Sequence, residues 1–196
     1  MVYQSILQNI GKHIKLTAEE SDYFTSLLRV LTLKKKTALL REGQLCQHIF
    51  FVNAGVLRAF CTDRDGKEAT IMFAVSDWWI TDMYCFVNQL PAMMNIEALE
   101  PSECLCLGKD HLDSLFMQIP KFERVFRVLM QNAYTREQLR SIQSLTLPAE
   151  ERYFQFLQKY PQIVPHLTQK QIASYLGITP EFLSVIRRKR TRGKLS

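Results

Sequence analysis

The run Thr168-Gln169-Lys170-Gln171-Ile172-Ala173-Ser174-Tyr175-Leu176-Gly177-Ile178-Thr179-Pro180-Glu181-Phe182-Leu183-Ser184-Val185-Ile186-Arg187-Arg188 carries the most specific chemistry in the chain. Thr168 and Gln171 have capping-box spacing, which predicts a helix starting after Thr168. Ile172, Ala173 and Leu176 give that helix an inner face, and Gly177 supplies the left-handed residue that ends it. Thr179 caps a second helix, and Pro180 takes its first position, where a missing N–H does no harm. Helix, glycine turn, helix is the helix-turn-helix pattern. At about 100° per residue, Phe182, Leu183 and Ile186 share one arc, expected to be buried. Glu181, Ser184, Val185 and Arg188 share the opposite arc, free to enter a major groove. Arg188 suits a guanine edge or a phosphate, Glu181 a cytosine amino group, Ser184 a base or the backbone, and Val185 a thymine methyl. Arg187, Lys189 and Arg190 suit phosphates, which fix position without reading sequence. Thr168, Gln169, Thr179 and Pro180, at the two helix starts, complete the expected DNA-contacting set.

Charge agrees with that expectation. Arg187, Arg188, Lys189, Arg190, Arg192 and Lys194 stand among the last ten residues with no acid, matching in size the net charge of +6 of the whole chain. Such a block attracts polyanions, although a solvated tail has the same composition.

Other reactive residues are dispersed. His13, His48, His111 and His166 fall in separate segments, with no nucleophile or carboxylate at a catalytic spacing and no glycine-rich phosphate loop, so catalysis is not expected. Cys104 and Cys106 alternate in a strand-like CLCLG segment, so they share one face. They are read as buried thiols rather than metal ligands, since a second pair at ligand spacing is missing. Five cysteines and an N-terminus without a secretory pattern argue against a disulfide framework. No apolar run approaches the ~18 residues of a membrane span. The expected compartment is the cytoplasm, with no membrane partner.

The positioning elements follow from periodicity. The first thirty residues read as helix, with a Thr17/Glu20 capping box ahead of Tyr23, Phe24, Leu27 and Leu28. From about Leu33 to Gly108 the segments are short, rich in β-branched and aromatic residues, and broken by turns at Glu42-Gly43, Asn53-Ala54-Gly55 and Asp63-Arg64-Asp65-Gly66. That spacing predicts an antiparallel barrel or jelly roll. Pro120 opens a long helix in which Phe122, Val125, Phe126, Leu129 and Ala133 recur on one face, and Leu139 and Ile142 continue an apolar edge. The stripe is covered either by the chain's own β unit or by the same helix of a second copy; pairing is favoured. Leu147-Pro148 marks a break, and a small helical unit follows.

A β-roll, a long helix and a helix-turn-helix, with turns at Gly43 and Gly55 and TQKQIASYLGITPEFLSVIRRK at the end, resemble the Crp/Fnr family of bacterial transcriptional regulators. The resemblance covers nearly the whole chain. It implies an α+β fold: a double-stranded β-helix (jelly-roll-like) sensory domain over 1–118, a dimerisation helix over 119–146 and a helix-turn-helix domain over 147–196, winged-helix-like with a short or absent wing. It implies duplex DNA, a second copy of the chain, RNA polymerase and a small-molecule effector as partners. The dimerisation residues would be Phe122, Val125, Phe126, Leu129 and Ala133. The effector pocket would involve Trp78, Trp79, Asp82, Met83, Ala92, Met93 and Met94, an apolar set that also reads as plain core filling.

Two departures qualify the resemblance. The family's phosphate cassette carries Gly-Glu and then Arg-Ser or Arg-Thr, whereas residues 76–100 here contain no arginine or lysine, and Ala92 and Met93 stand about where the arginine pair would be. An uncompensated buried anion is strongly disfavoured, so cyclic AMP is not expected to bind in the usual way and no cofactor is assigned. An iron–sulfur sensor would need an N-terminal cysteine cluster, and no cysteine precedes Cys46. In the reading helix, Val185 stands where relatives carry arginine after Glu-x-x-Ser, so the preferred operator should differ. The alternative reading is a sensory or protein-interaction module with a degenerate DNA-binding unit.

Overall fold

Two short helices precede the first strand: α1 (Gln4–Gly11) and α2 (Ala18–Ser26). The computed structural model describes residues 2–193, and the side chains of 190–193 lie outside that description. The Thr17/Glu20 capping box forms as expected, each residue's side chain accepting the other's backbone N–H. Helix does not fill the first thirty residues, however. The strands begin at Leu28, because Leu28-Arg29-Val30-Leu31-Thr32-Leu33 pairs antiparallel along its whole length with 102–107.

Eight strands are found among the described residues: β1 (Leu28–Leu33), β2 (Ala38–Leu40), β3 (His48–Ala54), β4 (Val56–Thr62), β5 (Glu68–Val75), β6 (Trp79–Ile80), β7 (Asn95–Ala98) and β8 (Ser102–Gly108). They form two four-stranded antiparallel sheets, ordered β1-β8-β3-β6 and β2-β7-β4-β5. Consecutive strands that join different sheets wrap the chain into a roll, as the short segments with regular turns require. The β3–β4 corner depends on Gly55. Its φ is +94°, and a Cβ there would lie 2.2 Å from Ser102 Oγ, so any side chain would force the corner open.

Cys104 and Cys106 pack in the roll's core with Phe51, Leu105 and Leu107. Burial pushes the Cys104 thiol up to about 12, the behaviour of a small hydrophobe rather than a reactive thiol.

Helix α3 (Met83–Asn88) interrupts the roll between β6 and β7. After β8 come α4 (Lys109–Gln118), which the sequence reading did not separate from the roll, and α5 (Phe122–Thr146), the expected long helix of 25 residues. At ~1.5 Å per residue α5 extends about 38 Å.

The apolar residues of α5 do not form one stripe. Phe122, Val125 and Phe126 are buried in the chain's own core, where Phe122 meets Phe24 at 4.8 Å and Phe126 meets Phe116 at 5.2 Å between ring centroids. Leu129 packs partly against the same core. These residues, assigned to dimerisation from sequence, therefore seal the roll instead. Tyr134, Leu139, Ile142 and Leu145 are exposed. At about 100° per residue their arc is centred roughly 190° away from the buried one, on nearly the opposite face. Leu139 and Ile142 thus begin a second stripe rather than extend the first.

The remaining elements are α6 (Ala149–Lys159), a 3-10 turn (Val164–His166), α7 (Gln169–Leu176) and α8 (Pro180–Gly193). They build a second core in which Tyr153, Phe156, Tyr160, Ile172, Leu176, Leu183 and Ile186 close on Val56 and Phe73 of the roll's outer face. No strand follows β8 among the described residues, and no described helix is long and apolar enough to cross a membrane.

Candidate nucleic-acid interface

Local chemistry fixes the geometry of α7 and α8. Thr168 Oγ1 accepts the Gln171 N–H at 3.2 Å and Gln171 Oε1 accepts the Thr168 N–H at 2.8 Å, closing the capping box. Gly177 takes a left-handed φ of +67°. The Ile178 N–H then reaches back to the Ala173 carbonyl at 3.0 Å and the Gly177 N–H to Ser174 at 3.3 Å. This crossed pair is the Schellman ending, which satisfies the last carbonyls of α7 while turning the chain. Thr179 Oγ1 accepts the Phe182 N–H at 3.2 Å and starts α8.

Helix α8 then divides by burial. Leu183 and Ile186 are 0% and 2% exposed, while Glu181, Val185, Arg188 and Lys189 are exposed and Ser184 is half-buried. Phe182 departs from the sequence expectation, with 50% of its surface exposed. At about 100° per residue it lies some 70° from the centre of the Leu183–Ile186 arc, on the border with Val185. Glu181 sits in the first turn, where the helix dipole favours an acid. Arg188 Nε approaches the Ser184 carbonyl at 3.4 Å and leaves the rest of its guanidinium outward.

The structure brings Gln169 and Ser184 together: the Ser184 hydroxyl lies 3.3 Å from Gln169 Oε1 and 3.0 Å from the Pro180 carbonyl. Thr168, Gln169 and Thr179 are exposed, Pro180 is half-buried, and Arg187 is exposed. The Arg190 side chain, with Arg192 and Lys194, lies outside the described residues. Sequence reasoning passed over Lys170, exposed beside Gln169 at the start of α7, because it weighed only the second helix for cations.

The effector residues expected from sequence do not converge. Trp78, Trp79 and Met83 line a cavity of about 250 Å³ between the roll and α5, together with Met72, Leu129 and Ala133. Asp82, Ala92, Met93 and Met94 do not line it. Asp82 turns inward at 2% exposure, Ala92 is buried, Met94 packs on the core, and Met93 is 60% exposed. The second wall of this cavity comes from α5, far along the chain from residues 76–100.

Residues 30–119 match the sequence profile of the cyclic nucleotide-binding domain. The match falls on the roll and α4. A curated relative, the anaerobic regulatory protein of Pasteurella multocida, is 24% identical over 187 residues, covering 86% of this chain and 66% of the relative. Among solved structures, the c-di-GMP-responsive global regulator of Xanthomonas campestris superposes with a TM-score of 0.73 at 14% identity, covering 91% of this chain and 94% of that one. A transcriptional regulator of the Crp/Fnr family from Eubacterium rectale gives 0.73 at 17% identity, covering 91% and 85%. The chain therefore has the Crp/Fnr fold. It spans 42% and 66% of the lengths of two curated relatives it matches.

The 76–100 segment buries an acid, Asp82, inside the roll. The Asp82 carboxylate accepts the N–H groups of Cys85 at 3.3 Å and Met93 at 2.8 Å. No arginine or lysine lies between positions 76 and 100 to offset a second negative charge.

The roll is also tied to the α7–α8 unit. Arg58, 3% exposed on β4, is held by Thr70 Oγ1 at 2.9 Å and Glu68 at 2.7 Å. Thr70 and Glu68 in turn bond Ser174 of α7. Arg140 of α5 donates to the carbonyls of Ile71 and Thr70 and stacks 4.6 Å above the Tyr175 ring. Burial pushes the Tyr175 hydroxyl up to about 12.

Proposed function

We propose that this chain is a DNA-binding transcriptional regulator that reads duplex DNA with α8 and acts as a homodimer. The observation carrying this reading is the split of α8: Leu183 and Ile186 are buried while Glu181, Val185 and Arg188 stay exposed beside the exposed Lys189. An exposed helix with cations and hydrogen-bonding side chains at its outer arc suits the major groove. The Pasteurella relative's description as a regulatory protein supports the same reading.

The second copy would pair along Tyr134, Leu139, Ile142 and Leu145, the exposed stripe of α5. Two-fold pairing would place two α8 helices for adjacent half-sites. The roll would act as a sensor that does not take cyclic AMP in the usual manner, with the Trp78–Trp79–Met83 cavity accepting an apolar effector.

A second reading rests on the exposed Phe182–Val185 edge, an apolar border that phosphates do not use. On that reading α8 docks a protein. Selection from a random duplex pool separates the two: enrichment of a common half-site supports DNA reading, and no enrichment supports the protein partner.

A further inference from the structure

A cavity of about 620 Å³, which shares only Arg136 with the lining of the tryptophan-lined one, opens where β5, α5, α6 and α7 meet. Its size is that of a small-molecule site. Its lining is cationic: Arg136, Arg140, Arg152 and Lys159 face it, against the single carboxylate of Glu137. Glu137 lies 3.5 Å from both Arg136 and Arg140 and serves those two. Among the described residues neither Arg152 nor Lys159 has a carboxylate partner.

Arg152 is the telling member. One of its terminal nitrogens donates to the Leu176 carbonyl at 2.6 Å, while its Nε is buried with no hydrogen-bond partner. A buried charge-bearing donor left unsatisfied is uncommon in a folded chain and calls for an acceptor. Like charges gathered around one cavity call for a counter-charge as well. The lining is also aromatic: Phe156 packs at tilted angles against Tyr160 and Tyr175, with ring centroids 5.5 and 5.1 Å apart.

We infer that this junction cavity binds a small organic polyanion, carrying at least two negative charges as phosphate or carboxylate, with Arg152 and Lys159 as the primary cationic contacts. Such a ligand would touch α5 and β5 on one side and α6 and α7 on the other. It would fix the angle between the roll and the α7–α8 unit. The inference stands on the cavity's own charges and does not require that α8 reads DNA.

Calorimetric titration of the full chain at low salt tests it, with inorganic pyrophosphate and citrate as separate probes. At least one probe should bind saturably at one site per chain; which one binds distinguishes a phosphate from a carboxylate ligand. Arg152→Gln should weaken that binding at least tenfold, Lys159→Gln should weaken it severalfold, and Arg188→Gln on the far face of α8 should leave it unchanged. The exposed Lys159 keeps the test open if Arg152→Gln does not fold. Binding of neither probe, or loss in Arg188→Gln with retention in Lys159→Gln, would overturn the assignment by placing the anion on the cationic end of α8.

Discussion

Ser174 of α7 accepts the Thr70 backbone N–H of β5 at 2.9 Å, and its hydroxyl proton goes to the Glu68 carbonyl at 2.7 Å. One hydroxyl therefore completes the pairing of a strand edge and fastens the α7–α8 unit to the β-roll. Substituting Ser174→Ala takes that partner from two donors, the Thr70 N–H and hydroxyl, and from one acceptor, the Glu68 carbonyl, in a half-buried place. The cost should be about 1–2 kcal/mol, read as a fall in Tm of several degrees by calorimetry. An unchanged Tm would mean that water replaces the hydroxyl without loss.

Arg188 should carry base or phosphate contact. Replacing it with Gln should weaken duplex binding by about 1–3 kcal/mol, with helix content by circular dichroism unchanged. Equal affinity in a fluorescence anisotropy titration would remove Arg188 from the interface.

The two stripes of α5 separate stability from assembly. Ile142→Asp, on the exposed stripe, should shift sedimentation from dimer to monomer with little change in folding. Phe126→Ala, in the buried stripe, should cost about 3–5 kcal/mol of stability and leave the dimer intact wherever the chain still folds. Monomers from Phe126→Ala with Ile142→Asp still dimeric would reverse the assignment.

Alkaline pH should unfold the protein early. Cys104 is raised from 9.0 to about 12 and Tyr175 from 10.0 to about 12, both by burial. The unfolded chain releases these protons first, so stability is complete below about pH 9 and falls as pH rises towards 12. Each pH unit should cost about 1.4 kcal/mol per group, counted from 9.0 for Cys104 and from 10.0 for Tyr175. Cys104→Ala should soften the slope of Tm against pH between 9 and 12, and a slope equal to wild type would contradict the burial argument.

Local chemistry was legible in the sequence wherever it acts over a few residues. The Thr168–Gln171 box, the Gly177 turn and the Thr179 cap appear where their spacing places them, because each is closed within one turn of backbone. What failed needed distant partners. From sequence alone, pairing with a second copy is favoured for Phe122 and Phe126 over cover by the chain's own β unit, because nothing nearby in sequence announces Phe24 and Phe116. Asp82 looked like an open pocket residue because the backbone of Met93, eleven residues on, is what draws it inward. Helix α4 escaped because the roll's last strand runs into it directly at Gly108, with no side-chain cap to mark the start.

Duplex affinity as a function of salt bears most directly on α8 as a DNA-reading surface. With several phosphates contacted by Arg187, Arg188 and Lys189, log K should fall linearly with log salt, at a slope of about −0.9 per contacted phosphate, and binding should be firm at ~50 mM. Duplex binding absent at ~50 mM, or an affinity indifferent to salt, would contradict the reading.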